Sequence, residues 1–320
     1  MIFTVTLNPS LDRTLSIPEL HPGAIHRARL VREDLGGKGV NVSRSLRALG
    51  IPSRILGFAG GRSGEVLRAG LLAEGIDVSF VDVGAEIRQN ITLLDEASGQ
   101  YTKINELGPE ISIQHVAALK ELVAQSAQPG DLWALCGSLP PGAPPDLYAW
   151  LIQQVQERKG LAFLDASGGA LRSGMSARPF SLKINTEEAG DLLGGSLEGD
   201  LDLSCFASEL QEGATRLVVI TRGAQGLVLA MGDERVVAVP PQVEVRSPVG
   251  AGDATLAGLL WAVSEQCDPA MMARRAVACG TAAAMQEGSG VGEVSLVREL
   301  LAKVEVRPGW LLKEQITSLR

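Results

Sequence analysis

Short β-rich runs alternate with helix-patterned segments along almost the whole chain, and this alternation restricts the possible folds more than any other feature. The opening "IFTVTL" ends at the loop-like "NPSLD"; "SRILGFAG" precedes the helical "SGEVLRAGLLAEG"; "DLWALCG" precedes "PPDLYAWLIQQVQERKG"; "LAFLDAS", "SLKIN", "RLVVITRG" and "GLVLAMG" follow as strands. Helices are expected to start near Gly39, Thr186, Leu203, Ala251 and Pro269. Strands spaced by helices of this length predict an α/β fold with a mostly parallel sheet covered on both faces, and ligands at the carboxyl ends of its strands. Two β-rich stretches, around residues 13–35 and 88–107, break the rhythm. They are expected to pair as a small accessory sheet, the second turning at Ser98-Gly99. Neither a Pro/Ser-rich linker nor an internal repeat divides the rest, which predicts one main domain.

The balance of residues narrows the partners. Apolar residues make up 45% of the 320, charged residues 21%, and the net charge is −8, so neither disorder nor a broad nucleic-acid or anionic-membrane surface is indicated. A small molecule is the expected partner. The first residues lack a basic and apolar leader and no later stretch reaches the length of a membrane span, which predicts a cytoplasmic protein. Cys136, Cys205, Cys267 and Cys279 are scattered and read as reduced core residues. His21, His26 and His115 have no ligand-like spacing, which argues against zinc or a histidine-based triad.

The densest chemistry lies in "SPVGAGDATLAGLL", where small residues and an acid precede an apolar helix. Two readings stand. Asp253 can be an ordinary cap of that helix. Alternatively, Gly250, Ala251 and Gly252 expose amides at the positive end of a helix, a site for a phosphate, and Asp253 beside it is a base for a hydroxyl that attacks the phosphate. A carboxylate at a helix start is expected to stay ionised.

Other segments are ambiguous in the same way. Neither GxxxxGK[ST] nor an early GxGxxG occurs, yet Gly36, Gly37 and Gly39 flank Lys38 ahead of a helix. Lys38 reads as a solvated loop lysine, or with Asn41 as a donor to a polyhydroxy ligand. Asp12 sits in a turn-like segment expected to be a loop after the first strand. "NTEE" reads as a helix cap with acids in its first turn, and "TRGAQG" as a hairpin turn.

Two of these segments carry a family resemblance over about residues 1–305. "GGKGVNVSRSLRALG", with Gly60 downstream, resembles the amino-terminal signature of the PfkB/ribokinase sugar kinases, and "SPVGAGDATLAGLL" resembles their carboxyl-terminal one. "TLNPSLDRT", "GGKGVNVSR", the "NIT" after Arg88 and "CGSLPPG" look most like the branch acting on phosphorylated ketohexoses. Arg222 and Ile87 depart from residues frequent in relatives.

The resemblance implies a ribokinase-like three-layer α/β/α domain of residues 1–12, 36–87 and 108–305. A β lid at 13–35 and 88–107 and a tail at 306–320 complete the expected organisation. It implies Asp253 as catalytic base, with Gly250, Ala251 and Gly252 stabilising the transferring phosphoryl group. Asp12, Gly37, Lys38, Asn41 and Ser138 are implied as sugar contacts. Arg88 is implied for the existing phosphate, to which its fork of donors is suited, and Arg27 as added charge across a dimer. Lys183, Asn185, Glu188, Thr221, Gly223 and Gly226 are implied on the ATP side, with Glu188 acting on Mg²⁺ through water. The implied reaction is transfer from ATP to a ketohexose monophosphate, fructose 1-phosphate at its 6-hydroxyl before tagatose 6-phosphate or fructose 6-phosphate. The partners are then the sugar phosphate, ATP and a second copy of the chain through the lid. A kinase of unphosphorylated sugars would leave Lys38 and Arg88 without a partner. A regulator that had lost catalysis would not be expected to keep "GAGD".

Overall fold

The protein is described by a computed structural model covering residues 1–195, 197, 199–213 and 215–309. Strand β1 (Ile2–Thr6) starts the main sheet, and β2 (Ser10–Ile17) and β3 (Arg29–Gly36) form a hairpin outside it. The chain returns through α1 (Lys38–Ala48), β4 (Ser53–Ala59), α2 (Gly61–Ala73) and β5 (Asp77–Asp82), then leaves again for β6 (Arg88–Asp95) and β7 (Tyr101–Asn105). Regular alternation follows: α3 (Ile113–Ser126), β8 (Leu132–Cys136), α4 (Leu147–Glu157), β9 (Leu161–Asp165), α5 (Gly168–Ser176) and β10 (Ser181–Asn185). Next come α6 (Thr186–Leu193), α7 (Gly199–Glu212), β11 (Leu217–Thr221), β12 (Leu227–Met231) and β13 (Glu234–Val239). Helices α8 (Ala251–Ser264), α9 (Pro269–Ala284) and α10 (Val294–Leu301) precede β14 (Glu305–Pro308).

The main sheet runs β14-β13-β12-β11-β10-β9-β8-β1-β4-β5, parallel from β11 to β5 and antiparallel at the β12–β14 edge. Alternation along the strands separates two apolar layers. Phe3 and Val5 of β1 and Trp133 and Leu135 of β8 pack under α3 and α4, while Ile2, Ala134 and Cys136 meet α8 and α9. Both faces are therefore dry, which is why these strands read as continuous apolar runs. From β1 the chain moves outward to β4 and β5, then returns to β8 on the other side. The order reverses between β1 and β8, which opens a crevice beyond their carboxyl ends.

The two irregular stretches form a four-stranded sheet, β3-β2-β6-β7, joined through a parallel β2–β6 pair. The first hairpin extends slightly past the expected 13–35, from Ser10 to Gly36, and the second, from Arg88 to Asn105, ends two residues inside the expected 88–107. Asp12 therefore lies within β2, not in a loop, because "SLDRTLSI" alternates against β3 and β6. Strands β5 and β13 are absent from the sequence expectation, and α7 begins at Gly199, four residues before Leu203. Strand β14 pairs with β13 up to Pro308, so Val306–Pro308 belong to the sheet; residues 310–320 of the expected tail lie outside the described residues. All four cysteines are free thiols, but only Cys136 and Cys279 are core residues; Cys205 is exposed and Cys267 half-buried. No helix among the described residues is long and apolar enough to cross a membrane.

Candidate active site

Helix α8 opens on Gly250, whose φ of 80° and ψ of −9° place it in the left-handed region that a side chain disfavours. That conformation turns the chain from "SPV" directly into the helix. The first-turn amides of Ala251, Gly252 and Asp253 have no intrahelical carbonyl to bond, since the first closing bond is Ala254 N–H to the Gly250 carbonyl at 2.8 Å. Ala251 N–H makes a long 3.3 Å bond to the Pro248 carbonyl. The Lys183 ammonium stands over this turn, 3.3 Å from where a side chain at Gly252 would begin.

Asp253 is only 7% exposed and does not cap the helix with its side chain. Its Oδ2 instead accepts a hydrogen bond from Asn41 Nδ2 at 2.8 Å. Burial, followed by the nearby Asp165 carboxylate, pushes its pKa up to about 6, against the opposing pull of Asn41, Lys38 and Lys183. Burial thus weakens the expected ionisation of this acid at a helix start without abolishing it, since the carboxylate still prevails above pH 6.

Asp165, at the carboxyl end of β9, is 0% exposed and takes one lysine on each oxygen. Lys38 Nζ donates to Oδ1 and Lys183 Nζ to Oδ2, both at 2.8 Å. Burial alone would raise the Asp165 pKa, but the two ammoniums hold it below the usual carboxylate value. The same contact raises Lys38 in spite of its own burial. Nothing in the sequence argument singled out Asp165. Its only signal is an acid ending an apolar strand just before the small residues Ala166 and Ser167.

Two cavities open on this cluster. The larger, about 830 Å³, runs from Lys183, Asn185 and Glu188 past Thr221, Gly223 and Gly226 to Gly250–Asp253. The smaller, about 180 Å³, lies at the β1/β8 crevice and is lined by Thr6, Asn8, Arg88, Ser138 and Ser167. Lys38 lines both. Arg88 comes from β6 of the small sheet and donates from Nε to the Asn8 carbonyl at 3.1 Å, so that sheet walls the smaller cavity. Thr6, Asn8 and Ser167 were missed, although they lie at or just beyond the carboxyl ends of β1 and β9. Thr6 Oγ1, Asn8 Oδ1 and Asn41 Oδ1 are buried with no hydrogen-bond partner among the described residues.

The remaining expected residues divide. Asn185 and Glu188 form a reciprocal cap on α6: Glu188 N–H donates to Asn185 Oδ1 at 2.7 Å, and Asn185 N–H to Glu188 Oε2 at 2.9 Å. They border the larger cavity as well, so capping and lining coexist. "TRGAQG" is likewise both the β11–β12 turn and part of the cavity wall. Arg222 within it turns away to Asp200 on α7 and to the Gln225 carbonyl. Asp12 accepts from Ser10 Oγ at 2.7 Å and Asn90 Nδ2 at 2.8 Å, and neither it nor Gly37 lines either cavity. Arg27 is exposed in the loop before β3, not in a strand, and is not brought to either cavity. Among the described residues, no three His, Cys, Asp or Glu side chains gather as a metal site.

The sequence profile of the pfkB family carbohydrate kinases matches residues 6–294. The chain is 33% identical to 1-phosphofructokinase of Bacillus subtilis (strain 168), covering 96% of this chain and 99% of that protein. It is 36% identical to 1-phosphofructokinase of Rhodobacter capsulatus, covering 87% and 88% respectively. Phosphofructokinase-2 of Escherichia coli, solved in complex with fructose-6-phosphate, superposes with a TM-score of 0.88 at 29% identity, over 94% of this chain and 98% of that one.

Proposed function

The chain belongs to the pfkB family of carbohydrate kinases, and from that membership we propose that it transfers the γ-phosphoryl group of ATP to the 6-hydroxyl of fructose 1-phosphate, giving fructose 1,6-bisphosphate. One observation carries the reading. The buried Asp253 stands at the amide-rich start of α8, beside a lysine that borders both cavities.

In this assignment the larger cavity takes ATP along Lys183, Asn185, Thr221, Gly223 and Gly226, and the smaller takes the sugar phosphate. Arg88 binds the existing phosphate, with Arg27 adding charge from a second copy of the chain. Asp12, Gly37, Lys38 and Ser138 bound the sugar. Asn41 acts on Asp253 more directly than on the sugar, holding the carboxylate by the 2.8 Å bond. Ionised Asp253 takes the hydroxyl proton as the oxygen bonds to the γ-phosphorus and the bond to the bridging β–γ oxygen breaks, releasing ADP. The amides of Gly250, Ala251 and Gly252 and the Lys183 ammonium meet the charge on the transferring oxygens.

Glu188 offers a carboxylate oxygen to the phosphate end of the larger cavity, a hard donor suited to Mg²⁺ held largely by water and phosphate. Such an ion would neutralise phosphate charge. The chain is proposed to work in the cytoplasm as a dimer joined through its small sheet.

The test is initial-rate ADP formation with MgATP against fructose 1-phosphate, fructose 6-phosphate, tagatose 6-phosphate and free fructose, compared as kcat/KM. Fructose 1-phosphate is expected to lead by at least about tenfold, and Arg88→Ala to raise its KM while leaving that of ATP near the wild-type value. Preference for a 6-phosphate would overturn the substrate assignment. Equal use of free fructose would overturn the role of Arg88.

A further inference from the structure

Asp165 is fully buried, lines neither cavity, and spends one carboxylate oxygen on each of two lysines, Lys38 bordering both cavities and Lys183 the larger. A lysine ammonium on a flexible stem is a poorly placed charge unless something holds it. Here the holder is rigid, since Asp165 ends a central strand paired with β8 and β10. Lys183 reaches it from β10 and Lys38 from the first residue of α1. Each ammonium spends one bond on Asp165 and keeps donors to face phosphate.

We propose that Asp165 is a positioning residue for phosphoryl transfer, clamping Lys38, which borders both cavities, and Lys183, which borders the larger, at fixed points. The inference rests on the phosphotransfer reading above. Positioning and charge placement make up most of what a protein contributes to such a transfer, so displacing the ammoniums costs turnover more than binding.

The clamp also acts on Asp253. The groups facing that acid are Asn41 and Lys38 from α1, Cys136 from β8, Asp165 from β9 and Lys183 from β10, with Glu188 of α6 acting on Lys38. Burial keeps the Cys136 thiol neutral. Helix α9, packed along α8, presents the neutral Cys279 thiol, and its Arg275 engages Glu265 and Trp261 at the far end of α8. Asp165 is thus the anion whose removal eases ionisation of the base.

The experiment is full steady-state kinetics of Asp165→Asn against pH. Turnover is expected to fall by about 100-fold with both KM values within about threefold of wild type. The acid limb of kcat should move down by about one pH unit, because a like charge beside Asp253 has gone. Near-wild-type turnover, an unmoved limb, or KM values that rise together with loss of thermal stability would each overturn the proposal.

Asp165→Glu keeps the charge and displaces it, and carries the test if the asparagine variant does not fold. It should lose turnover while the acid limb stays in place; wild-type turnover or a moved limb counts against the clamp. A ¹³C NMR titration of the Asp253 carboxyl in ligand-free protein, identified by its loss in Asp253→Asn, reads the coupling without any substrate. A midpoint that falls in Asp165→Asn supports the clamp even if no sugar is phosphorylated. An unmoved midpoint in an active enzyme overturns the clamp and leaves the kinase reading standing.

Discussion

Asp253 is kept as a buried anion at a thermodynamic cost. Its folded pKa of about 6 lies above the ordinary value of 3.8, so the native state binds that proton more tightly than the unfolded chain does. Stability is therefore lost as pH rises through the window from 3.8 to about 6, by up to about 3 kcal/mol once the acid is fully ionised. Activity runs the opposite way, since only the carboxylate accepts a proton. Wild-type kcat is expected to fall about tenfold per unit below pH 6 and to level off above it. Asp253→Asn should lower kcat by at least about 1,000-fold while raising the melting temperature at pH 7, measured by calorimetry beside the rate assay. A variant that is inactive and also less stable would mean that the acid supports the fold, not the chemistry.

At the scale of elements, the turn between β11 and β12 illustrates what the sequence discloses and what it hides. "TRGAQG" is recognisable as a turn from its glycines, and Gly226 has a φ of 84° with the Ala238 carbonyl oxygen 1.9 Å from where a β-carbon would lie. Gly226→Ala should therefore destabilise the protein by about 2–4 kcal/mol, lower the melting temperature by at least about 5 °C and weaken ATP more than sugar. Unchanged melting would show that the turn relaxes freely. What the sequence could not disclose was the partner of that turn, because β13 lies in "ERVVAV", whose apolar pattern is short and bounded by charge. Strand β5 was missed for the same reason: "DVSFVD" is a half-buried edge strand with an acid at each end. The site divides similarly. Asp253, Lys38 and the α8 turn were legible because their chemistry is contiguous in the chain. Asp165 was not, because its two lysines lie 127 and 18 positions away, and only the strand order β10-β9-β8-β1, with α1 packed beside β1, brings them together.

For the whole molecule, the small sheet stands apart from the main one and keeps large apolar side chains in water, among them Leu30 and Val31 on β3 and Tyr101 and Ile104 on β7. Such residues on strands outside a core favour a partner surface, and a second copy of the same sheet supplies a matching one. Light scattering is expected to give twice the 33.6 kDa chain mass at micromolar concentration, and Val31→Glu with Ile104→Glu to reduce it to one chain. A wild-type monomer would remove the dimer from the proposal. The parallel β2–β6 pair has a consequence of another kind. Its two strands are separated by β3, α1, β4, α2 and β5, so the pair closes a long loop and cannot arise as a local hairpin does. The β2–β3 and β6–β7 pairs join strands consecutive in the chain, whereas joining the two hairpins through β2–β6 carries the entropy cost of that long loop. The wall that Arg88 contributes to the smaller cavity thus hangs on a pairing between distant parts of the chain, so whatever loosens β2 from β6 opens that cavity as well.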